Sequence, residues 1–240
     1  MSVSGKAKRP HVYNHILTTF MDETTPEYLD KILNELSNFQ KQFIESSKRF
    51  IEAGNKKLYT LDFFASAVNN RAISLTNAYV TLAKDNNYLT AVSLIRLQLD
   101  NALRFFASTL VADSNDFVMQ FLDGKAIKDY TDVKGKKLSD NYLAKQLETY
   151  FTGTQKLYTD TCGFIHLSDR HFFPTVAKFE KENRNIGIQI GSYDNFKLDE
   201  KIDFSRTMLE VSKLVLIVVE QWKHEKEKLG ALYDSQMPSR

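Results

Sequence analysis

The stretch YLTAVSLIRLQLDNALRFFASTLVA, residues 88–112, decides the fold of this chain. Its apolar residues recur at three- and four-residue spacing, which predicts a long and largely buried α-helix, the third in the chain. Ser93, Arg96, Asp100 and Arg104 interrupt that pattern. At about 100° per residue these four positions fall within an arc of roughly 80°, so they form one polar stripe on the helix.

The stripe has two interpretations. Removing a charge from water costs several kcal/mol unless the charge is paired, and residues four apart on a helix can pair, as Asp100 can with Arg96 and with Arg104. The stripe is then an internal ion-pair ladder that fixes the packing, or it simply faces solvent. Alternatively it borders a cleft in which an arginine stays free to bind an anion such as phosphate. Arg71, on the preceding helix, could add a third guanidinium.

The segments before the stripe predict two more long helices. Thr25, Pro26 and an acidic residue form a helix start, because a hydroxyl caps the first turn and proline is tolerated there. A second helix is expected over residues 61–84 and ends at the polar run 85–87. Since only three residues join it to the third helix, the two should pack antiparallel.

Beyond residue 113 the predicted elements become shorter. The lysine-rich residues 125–137 read as a mobile loop, and the alternation after residue 174 indicates a β-hairpin. A last helix is expected over residues 200–229, with a solvated charged end. The predicted fold is mainly α, an antiparallel helical bundle with a small β-hairpin inserted near residues 175–191. The predicted organisation is a flexible tail at 1–20, one helical domain at 21–230 and a flexible tail at 231–240.

Composition narrows the functional classes. Glycine (9) and proline (4) are scarce among 240 residues, which argues against an all-β fold. The formal net charge of +2 is too small for a nucleic-acid binder driven by bulk electrostatics, so any such contact should be local. One cysteine, Cys162, permits neither an intramolecular disulfide nor a multi-cysteine zinc site. Without a signal peptide or a run long enough to cross a bilayer, we expect a cytoplasmic protein without a membrane partner.

Residues 158–171, YTDTCGFIHLSDRH, form the densest chemical segment. They include His166, Ser168, Arg170 and His171, and histidine can act as an acid or a base near neutral pH. The His-x4-His spacing is not the i, i+4 pair that a helix presents to a metal, so we expect no metal site. With no P-loop or G-x-G-x-x-G motif, we expect no cofactor. Alternatively, His166 only bonds the backbone at a helix end.

Taken together, two segments resemble those of HEPN-like bacterial proteins. Residues 91–105 resemble the R-x-x-x-E helix of uncharacterised members, with Asp100 where glutamate is common, and Tyr158, Cys162 and His166, followed by Ser168, resemble a later tyrosine and histidine pattern. The resemblance covers about residues 60–170. It implies a dimerising helical bundle, often an RNA nuclease in toxin–antitoxin or phage-defence settings.

The chain departs from that family in lacking the usual R-x4–6-H signature in the later helix. A nuclease would therefore need an arginine of the third helix to meet His166 in space. The leading hypothesis is a homodimer that binds or cleaves RNA or a nucleotide as a metal-independent ribonuclease. The alternative is a non-catalytic dimerisation or partner-binding module whose stripe is structural. The candidate catalytic residues are His166, Arg96 and Arg104, and the candidate substrate-binding residues are Arg71, Asp100, Ser168, Arg170 and His171.

Overall fold

The computed structural model describes residues 24–165, 168, 176–180, 185–188, 190–191 and 195–236. These residues form seven α-helices and two short strands, which confirms the predicted mainly α class. The helices are α1 (Pro26–Glu52), α2 (Thr60–Lys84), α3 (Tyr88–Ala107), α4 (Ser114–Leu122), α5 (Asp140–Glu148), α6 (Thr154–Ile165) and α7 (Leu198–Gln236). The strands are β1 (Val176–Glu180) and β2 (Asn185–Ile188).

Helix α1 begins at the predicted cap. The Thr25 hydroxyl oxygen accepts a hydrogen bond from the backbone N–H of Tyr28 at 3.2 Å, and Pro26 occupies the first turn. One face of α1 is buried against α2 and α7, as expected for an amphipathic helix. The buried apolar residues of that face are Ile32, Leu33, Leu36, Phe39, Phe43 and Phe50.

Helices α2 and α3 form the predicted antiparallel pair, and α7 packs against both. Asn86 reverses the chain between them in a left-handed conformation, with φ of 57°. Helix α3 ends at Ala107, five residues before the expected residue 112. The hydroxyls of Ser108 and Thr109 donate to carbonyl oxygens three residues earlier, and this competes with the helical hydrogen bonds.

The lysine-rich segment, which we expected to be a mobile loop, forms a hydrogen-bonded turn. We call residues 125–138 the Asp132 turn, because Asp132 Oδ1 accepts the backbone N–H groups of Lys134 at 2.9 Å and Lys136 at 2.8 Å. The Tyr142 hydroxyl of α5 donates to Asp132 Oδ2 at 2.5 Å. The Val133 N–H donates to the Leu110 carbonyl just after α3 at 3.1 Å. The turn is therefore fixed to both helices.

Helix α6 is placed against the polar stripe by its start and by its neighbours. The Glu148 carboxylate, at the end of α5, accepts the backbone N–H groups of Gly153 at 3.0 Å and Gln155 at 2.8 Å. These bonds satisfy free N–H groups at the start of α6. Helix α6 packs against α3 and α5, and this packing brings Tyr158 and Cys162 close to Arg96.

The charged end of α7 is not fully solvated, contrary to our expectation. Lys226 has no exposed side-chain surface, and its Nζ lies 2.9 Å from Asp62 Oδ2 and 2.7 Å from the Phe50 carbonyl oxygen. Asp62 also accepts from Trp222 Nε1 at 2.7 Å and from the Tyr59 N–H at 2.8 Å. Helix α7 continues to Gln236, past the expected end near residue 229.

The two strands lie in the stretch that predicted a hairpin. They pair antiparallel, with Val176 opposite Ile188 and Glu180 opposite Asn185, and the register shifts between Val176 and Lys178. Within the described part of the chain, none of the helices combines the length and the apolar character that crossing a bilayer requires.

Candidate anion-binding cleft

Arg104, the last residue of the polar stripe, forms ion pairs with two carboxylates. Its Nε lies 2.9 Å from Asp100 Oδ1, four residues earlier on α3, as predicted. Its Nη2 lies 2.7 Å from Oδ1 of Asp140, the first residue of α5. The stripe is therefore an ion-pair network that joins two helices, and not a ladder within one helix.

Arg96 pairs with Asp140 and not with Asp100, the partner that helical spacing suggested. Its Nη2 lies 3.3 Å from Asp140 Oδ2, and its guanidinium carbon lies 4.5 Å from the centre of the Tyr158 ring. Burial acts to lower the pKa of Arg96, but the contact with Cys162 and the charges of Asp100 and Asp140 raise it above its ordinary value. Arg96 is thus a buried, permanently charged group between α5 and α6.

Arg71, on α2, joins the same network from the side. Its Nη1 donates to Asp100 Oδ2 at 3.0 Å and to Asn101 Oδ1 at 2.6 Å. No acceptor among the described residues lies within hydrogen-bonding distance of its Nε or Nη2, and 43% of its side chain is exposed. Arg71 is therefore held at one nitrogen and keeps other N–H groups for a ligand.

A buried amide relay fixes the group that holds Arg71. Asn101 Nδ2 donates to Gln98 Oε1 at 3.0 Å, and Gln98 Nε2 in turn donates to Ser212 Oγ of α7 at 3.1 Å. All three side chains are buried. Because both Asn101 amide atoms are engaged, the Asn101 oxygen that receives Arg71 has a defined position.

Arg71 and Arg104 border a cleft of about 730 Å³ between α2, α3 and the segment of residues 126–141. We call it the arginine cleft. Its charged lining consists of these two arginines, Asp100, Asp140 and Lys128, and its apolar lining includes Phe64, Val68, Phe121, Ile127 and Tyr158. A smaller recess of about 330 Å³ lies beside Arg96 and Cys162 and shares Asp100, Asp140 and Tyr158 with the cleft. Volumes of this size fit small-molecule sites.

The charges around the two cavities do not cancel. Three guanidiniums, of Arg71, Arg96 and Arg104, and the Lys128 ammonium face two carboxylates, of Asp100 and Asp140, which leaves a net charge of +2. Burial and the nearby Cys162 and Asp140 raise the pKa of Tyr158, although Arg96 opposes the change. The Tyr158 phenol therefore stays neutral near pH 7, and the cleft presents cationic donors beside an aromatic surface.

The structure brings together four of the predicted site residues: Arg71, Arg96, Asp100 and Arg104. Ser168 borders neither cavity, and its hydroxyl donates to the Gly163 carbonyl at 2.6 Å near the end of α6. His166, Arg170 and His171 lie outside the described residues.

Sequence reasoning missed three contributors to the cleft. Asp140 was recognisable only as the first residue of a helix capped by Ser139, since nothing local shows that its carboxylate faces α3. The sequence pattern around Asn101 and Lys128 does not mark these residues as part of a site either. Their roles depend on contacts between helices far apart in the sequence.

Among the described residues, no group of three histidine, cysteine or acidic side chains could hold a metal ion. Comparison with protein-family models, curated proteins and solved structures finds no match that would place the chain in a family.

Proposed function

We propose that this chain binds RNA or a nucleotide in the arginine cleft and, as a HEPN-like protein, cleaves RNA there without a metal. The observation that carries the proposal is the joint placement of Arg71 and Arg104 at a cleft with an aromatic wall. A guanidinium matches the geometry of a phosphate, and an aromatic face accepts a stacked base.

Phosphate recognition is assigned first to Arg71. Its charge is only partly compensated, because Asp100 is shared with Arg104. A ligand phosphate can therefore bind the remaining N–H groups of Arg71 without breaking the two bonds that position it. The net charge of +2 around the cleft favours an anion over a neutral ligand.

Base recognition is assigned to Phe121, which lines the cleft and is 37% exposed. Its ring meets that of Phe64 edge-on, with centroids 5.3 Å apart, and Phe64 is buried and stacked on Phe105, so the core fixes the orientation of Phe121. Stacking on such a ring contributes about 1–3 kcal/mol per base and tolerates any base.

The cleavage step is assigned to His166 as general acid or base, with Arg96 and Arg104 stabilising charge on the phosphorus centre. Ser168, Arg170 and His171 are proposed to contact the substrate. A homodimer and a role in toxin–antitoxin or phage-defence systems follow from the HEPN resemblance and belong to the same proposal.

The proposal is tested by incubating purified protein with total RNA and with tRNA. Wild type should cleave, whereas His166→Ala and Arg96→Ala should not. Arg71→Gln should weaken binding of a non-cleavable RNA about tenfold to a hundredfold, since a charge-assisted contact contributes about 1.5–3 kcal/mol. Arg49→Gln, which removes a surface arginine paired with Glu220, is the matched control.

Two results would contradict this assignment. Equal cleavage by wild type and both cleavage variants, or no cleavage by any of them, removes the nuclease function. Unchanged RNA binding by a folded Arg71→Gln protein removes the cleft as the binding site.

The second candidate is a non-catalytic module for dimerisation or partner binding. The observation that favours it is that Arg96, Asp100, Arg104 and Asp140, the charged groups of the network on α3 and α5, all have ion-pair partners. The double variant Arg96→Met with Asp100→Leu leaves the Arg104–Asp140 pair intact. In a purely structural network this variant should keep its melting temperature and its partner binding. A folded double variant that has lost RNA binding supports the site instead.

A further inference from the structure

The Asp132 turn, residues 125–138, is a preformed part of the surface beside the arginine cleft. Its Ile127, Tyr130 and Leu138 side chains are buried, and a single bridge pairs Thr131 with Lys137. Together with the hydrogen bonds to Asp132, these contacts fix the backbone. A ligand that binds this surface would therefore not have to order the backbone, which lowers the entropy cost of binding.

Besides Lys125, whose Nζ donates to Gln120 Oε1, the turn carries four exposed lysines without carboxylate partners among the described residues. No carboxylate of the described residues lies within ion-pair distance of them, and the Asp132 carboxylate is occupied by hydrogen bonds to the backbone and to Tyr142. These lysines are Lys128, Lys134, Lys136 and Lys137.

Lysines on the helices are of two kinds. Lys48, Lys213, Lys223 and Lys228 each lie within 4.0 Å of a glutamate three or four residues away on the same helix. Other exposed helix lysines have no described carboxylate within that distance: Lys31, Lys41, Lys84 and Lys145. The turn differs from both kinds because four such lysines lie within ten consecutive residues, and like charges this close together favour binding of an anion.

The lysines are continuous with the cleft, because Lys128 borders it together with Arg71 and Arg104. We propose that the Asp132 turn is a second phosphate-contacting surface and that the ligand is a single strand of RNA several nucleotides long. This inference rests on the proposed function. One phosphate binds at Arg71, and the strand leaves the cleft over Lys128 towards Lys134, Lys136 and Lys137.

A single nucleotide is too short to contact both the cleft and the turn. The backbone folds back at residues 132–136, where the Asp132 N–H donates to the Lys136 carbonyl oxygen, so Lys134 at the tip lies at most about 20 Å from Lys128. One nucleotide advances a stacked strand by about 3.4 Å. A single phosphate cannot contact Arg71 and all four lysines at once, so contact with the cleft and with the whole turn requires several phosphates. The near-neutral net charge of +2 agrees with a local path and not with binding over the whole surface.

The experiment measures fluorescence anisotropy of a labelled, non-cleavable 12-nucleotide 2′-O-methyl oligouridylate between 50 and 200 mM KCl. The turn variant is Lys134→Gln/Lys136→Gln/Lys137→Gln. The matched control, Lys48→Gln/Lys223→Gln/Lys228→Gln, removes the same charge from α1 and α7. Uridine monophosphate binding is measured for each protein by calorimetry, and circular dichroism confirms the fold.

Each lost phosphate contact lowers the slope of log affinity against log salt by about 0.7 for a single strand, so three should lower it by about 2. The turn variant should also bind the 12-mer about tenfold to a hundredfold more weakly at 100 mM KCl. Its affinity for uridine monophosphate should equal that of wild type, and the control variant should keep the wild-type slope.

Two outcomes overturn the inference in distinguishable ways. If wild type binds both ligands and the turn variant keeps the wild-type slope and affinity, the extended path is wrong and the cleft proposal stands. If wild type binds neither ligand, the proposed function fails and takes the extended path with it.

Discussion

Replacing Asp140 by asparagine separates the structural role of the cleft charges from their role in binding. Asp140 accepts from Arg104 Nη2 at 2.7 Å and from Arg96 Nη2 at 3.3 Å. A hydrogen bond to a charged group contributes about 1.5–3 kcal/mol, and asparagine keeps one oxygen acceptor. Since the Asp140 side chain is 29% exposed and therefore partly screened, we expect a loss of about 1–2 kcal/mol in unfolding free energy. For a chain of this length that lowers the melting temperature by about 2–8 °C.

The same substitution should strengthen anion binding. It raises the net charge around the two cavities from +2 to +3, because three guanidiniums and the Lys128 ammonium then face one carboxylate. Two unit charges about 8 Å apart interact by about 2 kcal/mol at an effective dielectric constant of ~20. Salt at 0.15 M reduces this to less than half. We therefore expect about threefold to thirtyfold tighter RNA binding, with the larger gain at low salt.

The assay pairs thermal unfolding with anisotropy of the 2′-O-methyl 12-mer. Asp30→Asn, the same charge change at an exposed position of α1, is the control and should alter neither measurement appreciably. Opposite signs for stability and affinity are the signature of a binding site built on an ion-pair network. A folded Asp140→Asn protein that binds RNA more weakly than wild type would refute the electrostatic reasoning.

Two further predictions concern the fold. Lys226→Met leaves the buried Asp62 carboxylate without its cation, so the unfolding free energy measured in urea should fall by about 3–5 kcal/mol. Lys228→Met, at an exposed pair, should lower it by less than about 1 kcal/mol. Equal effects would mean that the buried pair is not stabilising. The Tyr142 hydrogen bond and the backbone N–H groups lower the pKa of Asp132, so its contribution to stability is complete above the unfolded pKa of about 3.9 and is lost as pH falls through the folded value. Melting temperatures measured between pH 2 and 6 should therefore fall more steeply for wild type than for Asp132→Asn, and parallel curves would contradict this assignment.

The sequence predicts the first half of the fold well because its signals are local. The cap at Thr25 and the break at Asn86 each act within one or two turns of their own position. Periodicity likewise identifies which face of a helix is buried. Even the early end of α3 has a local cause, the hydroxyls of Ser108 and Thr109, although hydroxyl residues also occur inside helices and so do not mark an end by themselves.

The candidate site and the burial of Lys226 could not be predicted, because they depend on ion pairs between residues that are distant in the sequence. Asp140 lies 44 residues from Arg96, and Asp62 lies 164 residues from Lys226. Neither pair leaves a periodic trace. The buried position of Lys226 also requires close approach of two backbones, since a Cβ added at Gly54 would lie 2.8 Å from the Lys226 carbonyl oxygen. Charge alone therefore predicts solvation for Lys226, and only packing reverses that prediction.

The two interpretations of the stripe are compatible once its partners are known. Asp100 holds Arg71 and Arg104 through different carboxylate oxygens, so pairing orients these guanidiniums without using all of their N–H groups. A phosphate would then compete with water for the remaining donors of Arg71 and not with a carboxylate. Asp140 does not contact Arg71, so its removal changes the electric field at the cleft while leaving that arginine in place. For this reason Asp140→Asn is a cleaner probe of binding than a substitution of Asp100, which would also release Arg71.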